Sequence, residues 1–151
     1  VAGYLGECQI PERQTFMHQA AHDTEATQDL AIVSAAGAHA LLVGPDCAID
    51  VALAALQGGL RQPVVSWTPL ETPEPPAMTA GTLVVRNLAG LGGDQQRQLL
   101  EWVDSRQRKV QVISTSGQHE VWPLVERGAF LTPLYYRLGV VCVDLTGAPH
   151  V

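Results

Sequence analysis

Ala38-His-Ala-Leu-Leu-Val43, followed at once by Gly44-Pro45-Asp46, sets the architecture of this chain. A short apolar run that stops at a Gly-Pro-Asp turn reads as a buried strand meeting a turn. Ala48 to Leu56 then reads as a helix, halted by Gly58-Gly59. Outward from this unit the alternation continues. Val64–Trp67, Thr82–Val85, Val110–Ser114 and Gly139–Val143 are four further short apolar runs. Between Thr82–Val85 and Val110–Ser114, Asp94 is expected to cap an amphipathic helix through Arg106, with Leu99, Leu100 and Val103 as its apolar stripe. Upstream, Glu12 to Ala36 is Ala-rich and reads as helix, with a break expected near His22–Thr24. Mostly apolar strands alternating with helices imply an α/β fold, a five-stranded parallel sheet covered on both faces. The Pro-rich stretch Thr68–Ala80 cannot join a central strand or a helix. It is expected to be an exposed connector inside one domain.

Composition bounds the function. The 151 residues make one domain, and 46% apolar with 16% charged residues describes a globular chain. A net charge of −6 argues against direct nucleic-acid binding by this domain and against anionic membrane surfaces. No run reaches membrane-spanning length, and no basic-then-apolar leader opens the chain. It starts at Val1, which is read as an excised or trimmed domain. Cys8, Cys47 and Cys142 are odd in number and widely spaced. That pattern points to inert thiols in a reducing compartment, the cytoplasm.

Two stretches resemble the ATPase core of the sigma-54 activator branch of AAA+ proteins. Gly81-Thr-Leu-Val-Val-Arg-Asn-Leu-Ala-Gly-Leu91, with Gln95-Gln-Arg-Gln-Leu-Leu100 after it, looks like the family's Walker B strand, Gly-Thr-Leu-Phe-Leu-Asp-Glu-Ile, and its following helix. Leu124-Val-Glu-Arg-Gly-Ala-Phe130 and Leu134-Tyr-Tyr-Arg-Leu-Gly-Val140 resemble the family's Leu-Val…Gly-Arg-Phe and Asp-Leu-Tyr-Tyr-Arg-Leu-Asn-Val segments. The likeness runs from about residue 41 to 145, and the small helical lid that follows in the family is missing. It implies a three-layer α/β/α P-loop NTPase-like fold, with residues 1–151 as a single truncated core.

The resemblance also implies which chemistry to look for. A working P-loop wraps backbone N–H groups around phosphates and reaches them with a lysine. Here the matching positions are Gly44, Pro45, Asp46, Cys47, Ala48, Ile49 and Asp50. Cys47 and Ile49 stand where the family has glycines, and Asp50 stands at the lysine. Lys109, the only lysine, lies elsewhere. Replacing Lys by Asp turns an attraction to phosphate into a repulsion, each about 1 kcal/mol at ~4 Å in water and about 4 kcal/mol at a protein-like dielectric. The Walker B acids, which bind Mg²⁺ and orient water, match Arg86 and Asn87. Ser114-Thr-Ser-Gly117 stands at the sensor position with Gly117 as the match. Of two family arginines that reach a neighbouring subunit, the first matches Leu131 and the second Arg137. The Pro-rich stretch replaces the loop that contacts sigma-54.

The expectation is a non-catalytic regulatory or protein-interaction domain with no catalytic residue, no metal and no cofactor. A protein partner or self-association is expected. The alternative is a sensor that binds ATP or ADP weakly through Gly44, the turn's backbone and Arg137. Smaller signals carry less. His18 and His22 have helical metal-ligand spacing without a completing ligand. Cys47 is expected to be an inert thiol, because Asp46 and Asp50 oppose thiolate formation. Trp102 and Trp122 are read as packing residues, and the Pro-rich stretch as a connector, not a polyproline ligand.

Overall fold

The computed structural model describes residues 16–105 and 109–146, without the side chains of residues 16–24. Its elements are α1 (Phe16–Ala36), β1 (Ala40–Val43), α2 (Asp46–Leu56), β2 (Val64–Trp67), β3 (Ala80–Val85), α3 (Gly93–Asp104), β4 (Lys109–Ser116), α4 (Val121–Glu126), α5 (Thr132–Leu138) and β5 (Val141–Asp144). One-turn 3₁₀ segments at Gln57–Gly59 and Leu88–Gly90 complete it. The five strands form one sheet in the order β2-β3-β4-β1-β5, and every pairing is parallel. This is the expected α/β architecture, with each strand where an apolar run placed it.

Strand side chains alternate between the two faces. Leu41, Leu83, Val85 and Val112 face one core, completed by Leu99 and Trp102 of α3, Val121 and Val125 of α4, Phe130, and Leu134 and Leu138 of α5. Ala40, Leu42, Val84, Ile113 and Val143 face the other, with Val33 of α1 and Ile49, Ala52 and Leu56 of α2. Helices therefore cover both faces, which explains why the strands read as continuous apolar runs. Full burial of a side chain such as Phe130 or Leu42 contributes about 1.5–3 kcal/mol.

Four local differences from the sequence reading have physical causes. No break occurs near His22–Thr24: α1 runs unbroken from Phe16 to Ala36, a span without proline or glycine. Asp46 is not part of a turn, because α2 begins there, two residues ahead of Ala48. An acid in its first turn favours that start. Asp94 does not cap α3; Gln95 Oε1 accepts from the Gly92 N–H at 3.0 Å, and Asp94 pairs with Arg97 instead. Finally, α3 stops at Asp104, and Arg106 lies outside the described residues. Gly81 is obligatory at the start of β3: its φ is +111°, and a Cβ there would meet the Pro63 carbonyl oxygen at 2.3 Å.

Candidate functional site

In a parallel sheet, ligands bind outside the carboxyl ends of strands whose following connections leave to opposite faces. Here those strands are the neighbours β1 and β4. The α2 helix after β1 packs on one face, and α4 and α5 after β4 pack on the other. The segments that meet at this edge are Gly44–Asp50, Arg86–Asn87, Ser114–Gly117 and Asp144–Thr146.

Only Gly44 and Pro45 separate β1 from α2. The Gly44 N–H donates to the Ser116 carbonyl at 3.0 Å, and Ile49 N–H donates to the Pro45 carbonyl at 3.0 Å, already a helical bond. Asp46, Cys47, Ala48, Ile49 and Asp50 therefore form the first turns of the helix. The Ile49 side chain is 1% exposed and fills the α1–α2 core. Gly44 packs on Leu145, where a Cβ would sit 3.0 Å from backbone. Cys47 is disulfide-bonded, a correction to the inert thiol expected from the cysteine spacing and the neighbouring Asp46 and Asp50; Cys142 is the free cysteine among the described residues.

At the end of β3, Arg86 reaches across to α2. Its Nη2 donates to Asp50 Oδ1 at 2.9 Å, joining residues 36 apart in sequence. Arg86 is one-third exposed and Asp50 mostly exposed, so the pair is a rim contact and not a buried one. Asn87 follows with φ +58°, a left-handed conformation that asparagine tolerates better than most residues. Its N–H donates to Thr115 Oγ1 at 3.1 Å. Beyond β4, the Gly117 N–H donates to Glu120 Oε2 at 3.0 Å, closing the turn into α4. Ser114, buried on the α3–α5 face, has a hydroxyl without a hydrogen-bond partner among the described residues.

Arg137 lies elsewhere. It is in the last turn of α5 and pairs with Asp104 at the end of α3. Its positive charge, after burial, helps hold the His39 imidazole below its usual range. His39 precedes β1, so Arg137 sits at the amino edge of the sheet, opposite Gly44. Leu131 is half-buried, and its N–H donates to Gln96 Oε1 at 2.8 Å. Gln96, a residue sequence reasoning passed over, is 3% exposed and fully used: its Nε2 also donates to the Leu91 and Ala129 carbonyls, each at 3.1 Å. An uncharged residue among the polar Gln95-Gln-Arg-Gln98 gave no hint of burial.

The remaining expectations are placed as follows. The His18 and His22 side chains and Cys8 lie outside what is described. Among the described residues no group of three or more His, Cys, Asp or Glu could hold a metal ion, and no helix is long and apolar enough to cross a membrane. Trp102 is buried in the α3–α5 core. Trp122 is half-exposed, its ring centroid 5.4 Å from that of Tyr135.

Comparison with known proteins agrees with this geometry. NtrX from Brucella abortus, solved in complex with ATP, superposes with a TM-score of 0.68 at 17% identity, over 82% of this chain and 36% of that one. The P-loop NTPase domain of a sigma-54 transport activator from E. coli gives 0.58 at 18% identity, over 89% of this chain and 96% of that domain. RuvB T158V from Thermotoga maritima gives 0.51 at 14% identity, over 83% of this chain and 44% of that one. These likenesses establish the P-loop NTPase fold, and the chain spans just over a third of the length of the NtrX protein it matches. No curated protein matches the sequence significantly. The family described as the sigma-54 interaction domain matches residues 63–147, more than half of the chain. The chain is therefore a member of the sigma-54 interaction domain family.

Proposed function

We propose that this member of the family is a non-catalytic regulatory or protein-interaction domain in sigma-54-dependent transcription control. What supports this reading most is the Asp50–Arg86 ion pair. Asp50 matches the position of the phosphate-binding lysine and Arg86 that of the magnesium-binding aspartate, so the two charges are exchanged. The exchanged pair neutralises itself and needs no ligand. A triphosphate entering here would meet Asp46 and Asp50, and a magnesium ion would meet Arg86. The short Gly44–Pro45 connection supports the same reading: the Gly44 N–H is taken by the Ser116 carbonyl and the Ile49 N–H by the Pro45 carbonyl, which leaves for an anion the first-turn N–H groups of α2, flanked by the carboxylates of Asp46 and Asp50. Arg137 in a pair with Asp104 is accounted for as a local contact.

The proposed domain acts in the cytoplasm through a protein partner or through self-association, without a nucleotide cofactor. The second reading, weak ATP or ADP binding without hydrolysis, rests on the fold shared with NtrX, which was solved with each of these nucleotides. Steady-state phosphate release with Mg-ATP tests the first reading. The expected rate is indistinguishable from buffer. Hydrolysis that Arg137→Ala abolishes would overturn it.

A further inference from the structure

We infer that a preformed groove between the Pro-rich segment and α3 is a docking site for an arginine side chain of a partner protein. One wall is a stripe of α3, with Gln98, Glu101 and Trp102 at helical spacings of three and four, extended by Ser105 just past its end. The other wall is Glu74–Pro75. The space between them is open and about 420 Å³ in volume.

The groove is built, and does not form by chance approach of a loose loop. Gln95, one turn before Gln98 on α3, donates from its Nε2 to the Pro69 carbonyl at 3.0 Å and to the Pro73 carbonyl at 3.1 Å. Trp102 Nε1 donates to the Pro76 carbonyl at 3.2 Å. The anchors at Pro73 and Pro76 bracket Glu74 and Pro75, and the buried Met78 pins the segment's far end. Proline carbonyls are held while proline N–H groups are absent, so the segment keeps this path with little entropy left to lose on binding.

Its chemistry selects the occupant. Each wall contributes one exposed carboxylate, Glu74 and Glu101, and among the described residues no cation lines the groove. Neither carboxylate is in a salt bridge among the described residues. Between them lie the largely buried Trp102 indole, the half-buried Pro75 ring and two neutral hydrogen-bonding side chains, Gln98 and Ser105. A planar guanidinium matches this set: its fork serves two acceptors, and its face stacks on flat apolar surface. An ammonium serves the charges but not the surface. An acidic or neutral segment would leave both carboxylates unpaired.

This assigns the partner's chemistry for the interaction reading above, and it does not depend on the state of the nucleotide pocket. The test is an NMR titration of the whole chain with a blocked pentapeptide carrying two arginines, alongside lysine and glutamine counterparts. The expected result is a saturable shift of the Trp102 indole N–H, with the arginine peptide binding about tenfold tighter than the glutamine peptide and more tightly than the lysine peptide. The E74Q/E101Q pair is expected to lose about tenfold in affinity, and Gln95→Ala, which frees the segment without changing charge, to lose several-fold. No saturable shift up to about 10 mM peptide, equal binding of the glutamine peptide, or unchanged binding by E74Q/E101Q would overturn the site. Equal binding of the lysine peptide would overturn the guanidinium assignment. None of these results bears on nucleotide hydrolysis, so failure of the groove and failure of the non-catalytic reading are distinguishable.

Discussion

Reversing one charge of the Asp50–Arg86 pair, and then both, gives the sharpest view of this contact. Asp50→Lys places a second cation against Arg86, and Arg86→Asp places a second carboxylate against Asp50. The wild-type contact is 2.9 Å between a one-third-exposed guanidinium and a mostly exposed carboxylate. At that exposure solvent screens most of the Coulomb energy, leaving about 0.2–1 kcal/mol for the pair. Each single reversal forfeits that and adds a repulsion of similar size, so a loss of roughly 1 kcal/mol is expected for each. The D50K/R86D double variant restores opposite charges across the same gap. It is expected to recover most of the stability, giving a coupling energy of roughly 1–2 kcal/mol that shrinks as salt rises. Urea unfolding of the four proteins at low and high salt measures it. Additive losses in the double variant, independent of salt, would refute a direct interaction between these side chains. The double variant also carries the family's Lys and Asp at these positions, yet on the proposed reading it is expected to show no ATP binding, because Asp46 still faces the phosphates and only Gly44 and Pro45 separate β1 from α2.

Other perturbations probe the frame around this site. Gln96→Leu leaves the Leu131 N–H and the Leu91 and Ala129 carbonyls without their partner, and is expected to cost about 2–4 kcal/mol in chemical denaturation. Ser114→Ala removes a buried hydroxyl that has no partner among the described residues, so thermal unfolding is expected to show unchanged or slightly raised stability, by up to about 1 kcal/mol. His39 accepts the Val112 N–H at Nδ1 at 3.0 Å, and burial, then Arg137, depress its proton affinity. The folded state thus binds fewer protons there than the unfolded chain. The resulting stability is whole above pH 6.5, the ordinary imidazole value, and is lost as pH falls through the lower folded value. Unfolding midpoints measured across that range should fall with acid in the wild type and fall less in His39→Asn, which keeps an acceptor but cannot take up the proton.

Much of the fold was legible because burial on both sheet faces leaves a plain trace. Leu41-Leu-Val43, Leu83-Val-Val85 and Val110-Gln-Val-Ile113 have almost no polar interruption, and only a parallel sheet covered on both faces asks for that. The one polar exception, Gln111, is explained by its Nε2, which donates to the Val33 and Ala38 carbonyls and ties α1 to β4. The candidate site was read residue by residue and not as an arrangement. Asp50 and Arg86 each stood out as a substitution, yet their contact depends on α2 starting at Asp46, and the reading began that helix at Ala48. Pro45-Asp46 was an available start signal, overridden by treating Gly-Pro-Asp as a turn. Three further features lay beyond sequence reach for one reason: a neutral or apolar side chain does not announce its partner. Gln96 was passed over, Cys47 read as an inert thiol, and the Pro-rich segment as a plain connector. That segment is indeed largely exposed, but its carbonyls are tied to Gln95 and Trp102 across more than twenty residues.

The proposed non-catalytic reading is open to one direct measurement, a calorimetric titration of the chain with Mg-ATP. No binding heat is expected up to about 1 mM nucleotide, where even a dissociation constant equal to that concentration would register. A saturable one-to-one isotherm, weakened when EDTA removes the magnesium, would contradict the account.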